Sequence, residues 1–157
     1  MTVNWSVGGT MDHPAFSGKV ETCVRNSGWS TSSTSFQTIT GLSGGNITIM
    51  RSTSIIFLAC HLSIEADGAA GHGIARLQRS YNDGDWTGIT QFNCLGSIDN
   101  VVGDGFHYRH DHDQSAGTDV KYRVQYLKKN TTGNHTIADT GPGHSTVASL
   151  VYWEMQE

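Results

Sequence analysis

The segment Ser54 to Ala66 limits the fold more than any other stretch of this chain. Its residues alternate strictly. Ile56, Leu58, Cys60, Leu62 and Ile64 fall on one face of an extended strand, and Ile55, Phe57 and Ala59 on the other, until His61, Ser63 and Glu65 turn that second face polar. A strand apolar on both faces for half its length is buried between two layers, or between a sheet and another subunit. Ser145 to Met155 repeats the pattern: Val147, Val151 and Trp153 share one face, and Ala148, Leu150 and Tyr152 the other. Two such strands can lie side by side at the centre of a jelly-roll, one face on the core and one on a neighbouring copy. Surplus apolar faces of this kind point to an oligomer.

The rest of the chain reads as shorter strands between turns. Phe36 to Ile39 and Ile47 to Met50 flank the turn-like Gly41 to Asn46, and Gly73 to Ser80 and Trp86 to Phe92 flank Asn82-Asp83-Gly84-Asp85. The Asp-Gly pair there predicts a hairpin, with glycine supplying positive φ. Phe106 to His110 and Asn134 to Ala138 are short strand candidates. Val120, Tyr122, Val124 and Tyr126 alternate with Lys121, Arg123, Gln125 and Leu127 as a half-buried strand does. No segment has helical period, and Gly, Ser and Thr are abundant, so the expected class is all-β: an antiparallel jelly-roll sandwich at residues 35–157. Residues 1–34 lack a sustained period apart from one short strand near Lys19 to Val24. They are expected to be an N-terminal arm and linker, with Trp5, Phe16 and Trp29 as anchors on a partner surface, or else a first strand folded onto the domain.

The 157 residues suit one domain. A net charge of −4, with no dense basic cluster, argues against nucleic acid or an anionic membrane as partner. The start, Met1 to Thr10, lacks the features of a secretory signal, and the apolar run Ile55 to Cys60 is far too short to span a bilayer. Cys23, Cys60 and Cys94 have no metal-type spacing and read as free thiols of a protein made in a reducing cytosol.

The order of features from Thr34 onward resembles the jelly-roll heads of phage fibre and decoration proteins, related in shape to trimeric C1q and tumour-necrosis-factor domains. The likeness rests on Ser35-Phe36-Gln37-Thr38-Ile39-Thr40-Gly41-Leu42, Ser52-Thr53-Ser54-Ile55-Ile56-Phe57-Leu58, Gly117-Thr118-Asp119-Val120-Lys121-Tyr122-Arg123-Val124-Gln125 and the closing run Ser145 to Met155. It implies a homotrimer in a virion, made in the host cytoplasm, with a major capsid protein or tail component as partner. Some 30 residues before the head are too few for a fibre shaft and enough for a clip, which ranks capsid decoration above a tail-fibre tip that recognises host-surface glycan. Ile55, Phe57 and Tyr152 are the expected trimer contacts.

Chemistry is sparse. In His107-Tyr108-Arg109-His110-Asp111-His112-Asp113, His110 and His112 share a face of an extended segment and are half of a possible divalent-metal site, completed across a trimer axis; otherwise the cluster is a solvated loop and no cofactor is expected. No nucleophile elbow, zinc-protease helix motif or phosphate loop is present, so no catalytic residue is assigned. Trp86, Tyr81 and Tyr108 are candidate sugar platforms, or simply packed aromatics.

Overall fold

The computed structural model describes residues 16–67, 71–96, 102–129, 133–138 and 146–156. They form strands and turns without a helix: β1 Phe16–Arg25, β2 Trp29–Thr31, β3 Gln37–Ser43, β4 Ile47–Thr48, β5 Ile55–Ala66, β6 Gly71–Tyr81, β7 Thr87–Gly96, β8 Val102–His110, β9 Asp119–Lys129, β10 His135–Ile137 and β11 Ala148–Met155. Two antiparallel sheets stack as a jelly-roll sandwich. One runs β1-β11-β5-β10-β2, with β8 on the other flank of β5; the second runs β3-β9-β6-β7, with β4 also on β9.

The two strands with doubled apolar faces are neighbours, the arrangement their pattern allowed. β11 pairs with β5 from Ser149↔His61 to Met155↔Ile55, and β8 covers the opposite edge of β5 from Ile56↔His110 to Ile64↔Val102. Ile56, Leu58, Leu62 and Ile64 are wholly buried, and so are Val120, Tyr122, Val124 and Tyr126 of β9 facing them from the second sheet. Cys23, Cys60 and Cys94 are free thiols within this core.

Three tyrosines fill the interior, and each hydroxyl is satisfied. Tyr122 and Tyr126 share hydrogen bonds with Nδ1 of His110 and His135 at 2.7 Å each, and Tyr152 donates to the Gly45 carbonyl at 2.5 Å. Burying a phenol without such a partner costs about 1–3 kcal/mol. Gly73 is required beside Tyr126, because a methyl group on it would run into the phenol ring.

The hairpin over 82–85 forms, but its positive φ values are carried one residue earlier than the sequence suggested. Asn82 (φ 47°) and Asp83 (φ 58°) occupy the two central positions, and the Gly84 amide closes the turn on the Tyr81 carbonyl at 2.8 Å. Asn and Asp tolerate this region, so a type I′-like turn needs no glycine at its centre. The span 1–34, expected as arm and linker, is in part sheet. β1 pairs with β11 from Val20↔Trp153 to Arg25↔Ala148, and β2 pairs with β10. Val20 and Cys23 are buried. The alternation of β1 is diluted by Thr and Glu, which hid its length. The residues ahead of Phe16, Trp5 among them, lie outside the described part.

Candidate assembly surface

Paired residues on neighbouring strands project to the same face of a sheet. Across the larger sheet this sets Val20, Trp153, Phe57 and Arg109 in one outward row, and Thr22, Val151, Ala59 and His107 in the next. Met155 and Ile55 pair at the end of the sheet. Phe57 lies at the centre, its ring 5.0 Å from that of Trp153 and 5.8 Å from that of His107. Ile55, Phe57, Arg109, Trp153 and Met155 surround a shallow hollow of about 410 Å³. Arg109 stands at its edge, bridged to Asp111 at 2.7 Å. The face is an apolar floor with a charged rim, and its chemistry is that of a docking surface.

Of the expected trimer contacts, Ile55 and Phe57 belong to this face and Tyr152 does not. Tyr152 is wholly buried between the sheets, edge-on to Tyr122 at 4.9 Å. Its neighbours Val151, Trp153 and Met155 point outward in its place. A strand apolar on both sides does not reveal by alternation which side is the interior. The hydroxyl of Tyr152 found its partner in Gly45, far away in sequence, so no local signal could have placed it. Arg109 and His107 were missed as rim residues because their position depends on the β5–β8 register.

His110 and His112 are both buried, and both are engaged inside the chain. His110 Nδ1 is held by Tyr122, and burial, with the Arg79 charge nearby, pulls its pKa down to about 4. His112 accepts the Gln114 amide on Nδ1 at 3.3 Å and shares a hydrogen bond between Nε2 and Ser54 Oγ at 3.2 Å. Among the described residues no group of three or more His, Cys, Asp or Glu could hold a metal ion.

Ser54 also donates to Glu154, whose buried carboxylate accepts the amides of Met50 at 3.0 Å and Arg51 at 3.1 Å. The trio Glu154, Ser54 and His112 contains the residue types of a hydrolase but the wrong order. In such a triad the carboxylate holds the histidine and the histidine faces the serine, whereas here Ser54 stands between Glu154 and His112. The trio fastens the turn before β5 to the last strand.

The aromatic candidates for a sugar platform are partly spent. Tyr81 and Tyr108 pack against the core, and Trp86 lies under the Arg123 guanidinium at 4.2 Å. Trp29 likewise packs on the core from β2.

No family model matches the chain, and no curated protein does. Among solved structures, it is similar to infectious bursal disease virus, Gt strain (14% identity, TM-score 0.48, 100% of this chain and 42% of that one). It is also similar to the Gx strain of that virus (12%, TM-score 0.46, 99% and 41%). A third likeness is to a structure described as "CBM4 structure and function" (14%, TM-score 0.39, 88% and 81%). The chain spans about two fifths of the viral chains it matches. At these scores the likenesses say nothing about what the chain does.

Proposed function

We propose that this chain is a structural protein of a bacteriophage particle, a trimeric jelly-roll that decorates the capsid. One observation carries the reading: an apolar outer face on the β1-β11-β5-β8 layer, on which Phe57, Val151 and Trp153 are only half-buried and a shallow hollow of about 410 Å³ lies beside Phe57 and Trp153. The jelly-roll sandwich agrees with the sequence resemblance to trimeric phage heads, and three copies of such a face around an axis would remove it from water. The occupant is a second copy of the chain. Attachment to the capsid falls to the segment ahead of Phe16, with Trp5 as its anchor, since Trp29 is committed to the core. No reacting group is assigned.

Light scattering at micromolar concentration tests the assembly. The expected mass is three times 17.0 kDa. A monomer would remove the basis of the proposal. Co-sedimentation with particles lacking the protein tests its location: the intact protein should pellet with them and Trp5→Ala should pellet less. Failure of the intact protein to pellet would refute the capsid role.

A further inference from the structure

The outer face of the other sheet carries a paired arrangement that the assembly reading does not use. On β6 and β9, Arg76 lies opposite Gln125 and Gln78 lies opposite Arg123, so guanidinium and amide alternate as a two-by-two checkerboard. Each arginine is held the same way. Arg76 donates through Nε and Nη2 to Gln125 Oε1, the Nε bond at 3.0 Å, and its guanidinium lies 4.0 Å from the centre of the Phe36 ring. Arg123 donates through Nε to Gln78 Oε1 at 2.8 Å and lies 4.2 Å from the Trp86 ring centre. Gln125 is fixed in turn by donating to Thr38 Oγ1 at 3.2 Å.

A glutamine oxygen orients a guanidinium without neutralising it. A carboxylate in either place would have held the arginine and cancelled its charge. Neither Arg76 nor Arg123 makes an ion pair with a described residue; the nearby Lys121 is the cation that takes up Asp83. Two oriented positive side chains therefore spring from diagonal positions of one sheet face, whose backbones are roughly 7–8 Å apart by the geometry of antiparallel strands. Partial burial first, and the Arg76 charge second, lower the pKa of the Arg123 guanidinium from its ordinary value. Stacked, amide-braced guanidiniums lose little freedom on meeting an anion, and their remaining N–H groups keep the fork that fits carboxylate and sulfate.

We propose that this face binds an acidic polysaccharide, with Arg76 and Arg123 meeting its carboxylate or sulfate groups and the surrounding amides and hydroxyls meeting its sugar hydroxyls. Beside Arg76 a shallow cleft of about 350 Å³ is lined by Gly88, Ile89, Thr90 and Gln91. Gly88 adds no side chain there, and Gln91, paired with Arg76 in the sheet register, offers a neutral donor and acceptor on the same face. Neutral hydrogen-bonding groups outnumber charges here, as suits a chain with many hydroxyls and widely spaced anions. A nucleic acid would ask for a cation at nearly every phosphate and for open aromatic faces on which to stack bases. Phe36 and Trp86 already carry a guanidinium. The inference is independent of the trimer, because it uses the opposite sheet.

Calorimetric titration of the intact protein at low salt tests it, with polygalacturonate fragments and dextran sulfate as probes and neutral dextran, oligothymidylate and polyglutamate as comparisons. At least one acidic polysaccharide should bind, neutral dextran should not, and the other two polyanions should bind at least tenfold more weakly. R76Q and R123Q should each weaken polysaccharide binding at least tenfold with an unchanged thermal melt. R76K and R123K keep the charge and the strand fit but lose the fork, and should fall between. Absence of binding by both acidic polysaccharides, binding unaffected by R76Q and R123Q, or equal binding of oligothymidylate or polyglutamate would each overturn the proposal. Scattering mass on the same samples reports the trimer separately.

Discussion

The two sheets bury matching inner faces and turn opposite outer faces to their surroundings. The β1-β11-β5-β8 layer shows Phe57, Val151, Trp153 and Met155 outside, whereas the β3-β9-β6-β7 layer shows Arg76, Gln91, Arg123 and Lys121. Period-two alternation alone is the same in β5 and β9. What differs is the outward half of the alternation, which is apolar on one sheet and polar and charged on the other.

Substitutions that cross these faces give the sharpest contrasts. Tyr152→Asp should fail to yield folded protein, because it removes a core ring and buries a carboxylate with no cation. Loss of a large aromatic alone costs about 3–5 kcal/mol, and the unpaired charge adds to it. Circular dichroism and a thermal melt would show this, and a folded monomer instead would return Tyr152 to the outer surface. Trp153→Asp, one residue on, should keep the fold while the scattering mass falls from trimer to monomer. A trimer that survived it would break the distinction between the sheets.

Acid provides a subtler probe of the seam between them. His110 joins the edge of the apolar sheet to Tyr122 of the polar one, and its pKa is lowered to about 4 from an ordinary 6.5, burial being the main cause. A histidine depressed in the folded state leaves the unfolded chain binding the extra proton between these values. Stability is therefore fully present above pH 6.5 and falls as pH drops toward 4, by about 3 kcal/mol from this group. Denaturant midpoints measured across that window in wild type and His110→Asn should converge as pH falls. Parallel curves would exclude His110 as the cause. The smallest effect is expected at Leu95, an apolar side chain 52% exposed on the polar sheet. Leu95→Ser should shift stability by less than about 0.5 kcal/mol and leave the mass unchanged, since an isolated exposed leucine is no interface.

The architecture was legible wherever one strand carried its own instruction. β5 and β9 show their inner faces by strict alternation, and the Asn-Asp-Gly turn announces a hairpin even though Asn82 and Asp83 bear the positive φ. β2 escaped notice because its three residues depend on pairing with β10, which no local pattern records. The site was half legible. Phe57 was found by alternation, but Tyr152 was assigned to the wrong face because its strand is apolar on both. His110 and His112 are both buried, and their hydrogen-bond partners Tyr122 and Ser54 come from parts of the chain far away in sequence. The arginine–glutamine checkerboard was invisible for the same reason, since it exists only in the β6–β9 register.

The pairing of β11 has a consequence for synthesis. It is the last described strand, and it fills the gap between β1 and β5, whereas the β6–β7 hairpin closes between near neighbours in sequence. On the ribosome the polar sheet can begin to form while β1 and β5 still lack the strand that joins them, and contacts this distant are the slow ones. Until β11 is made and docks, the apolar surface of β5 stands open to chaperones and to other nascent chains. A premature stop before residue 148 would leave that opening permanent, so β11 acts as the latch of the whole sheet, and the stage between hairpin and latch is when the chain is most prone to aggregate.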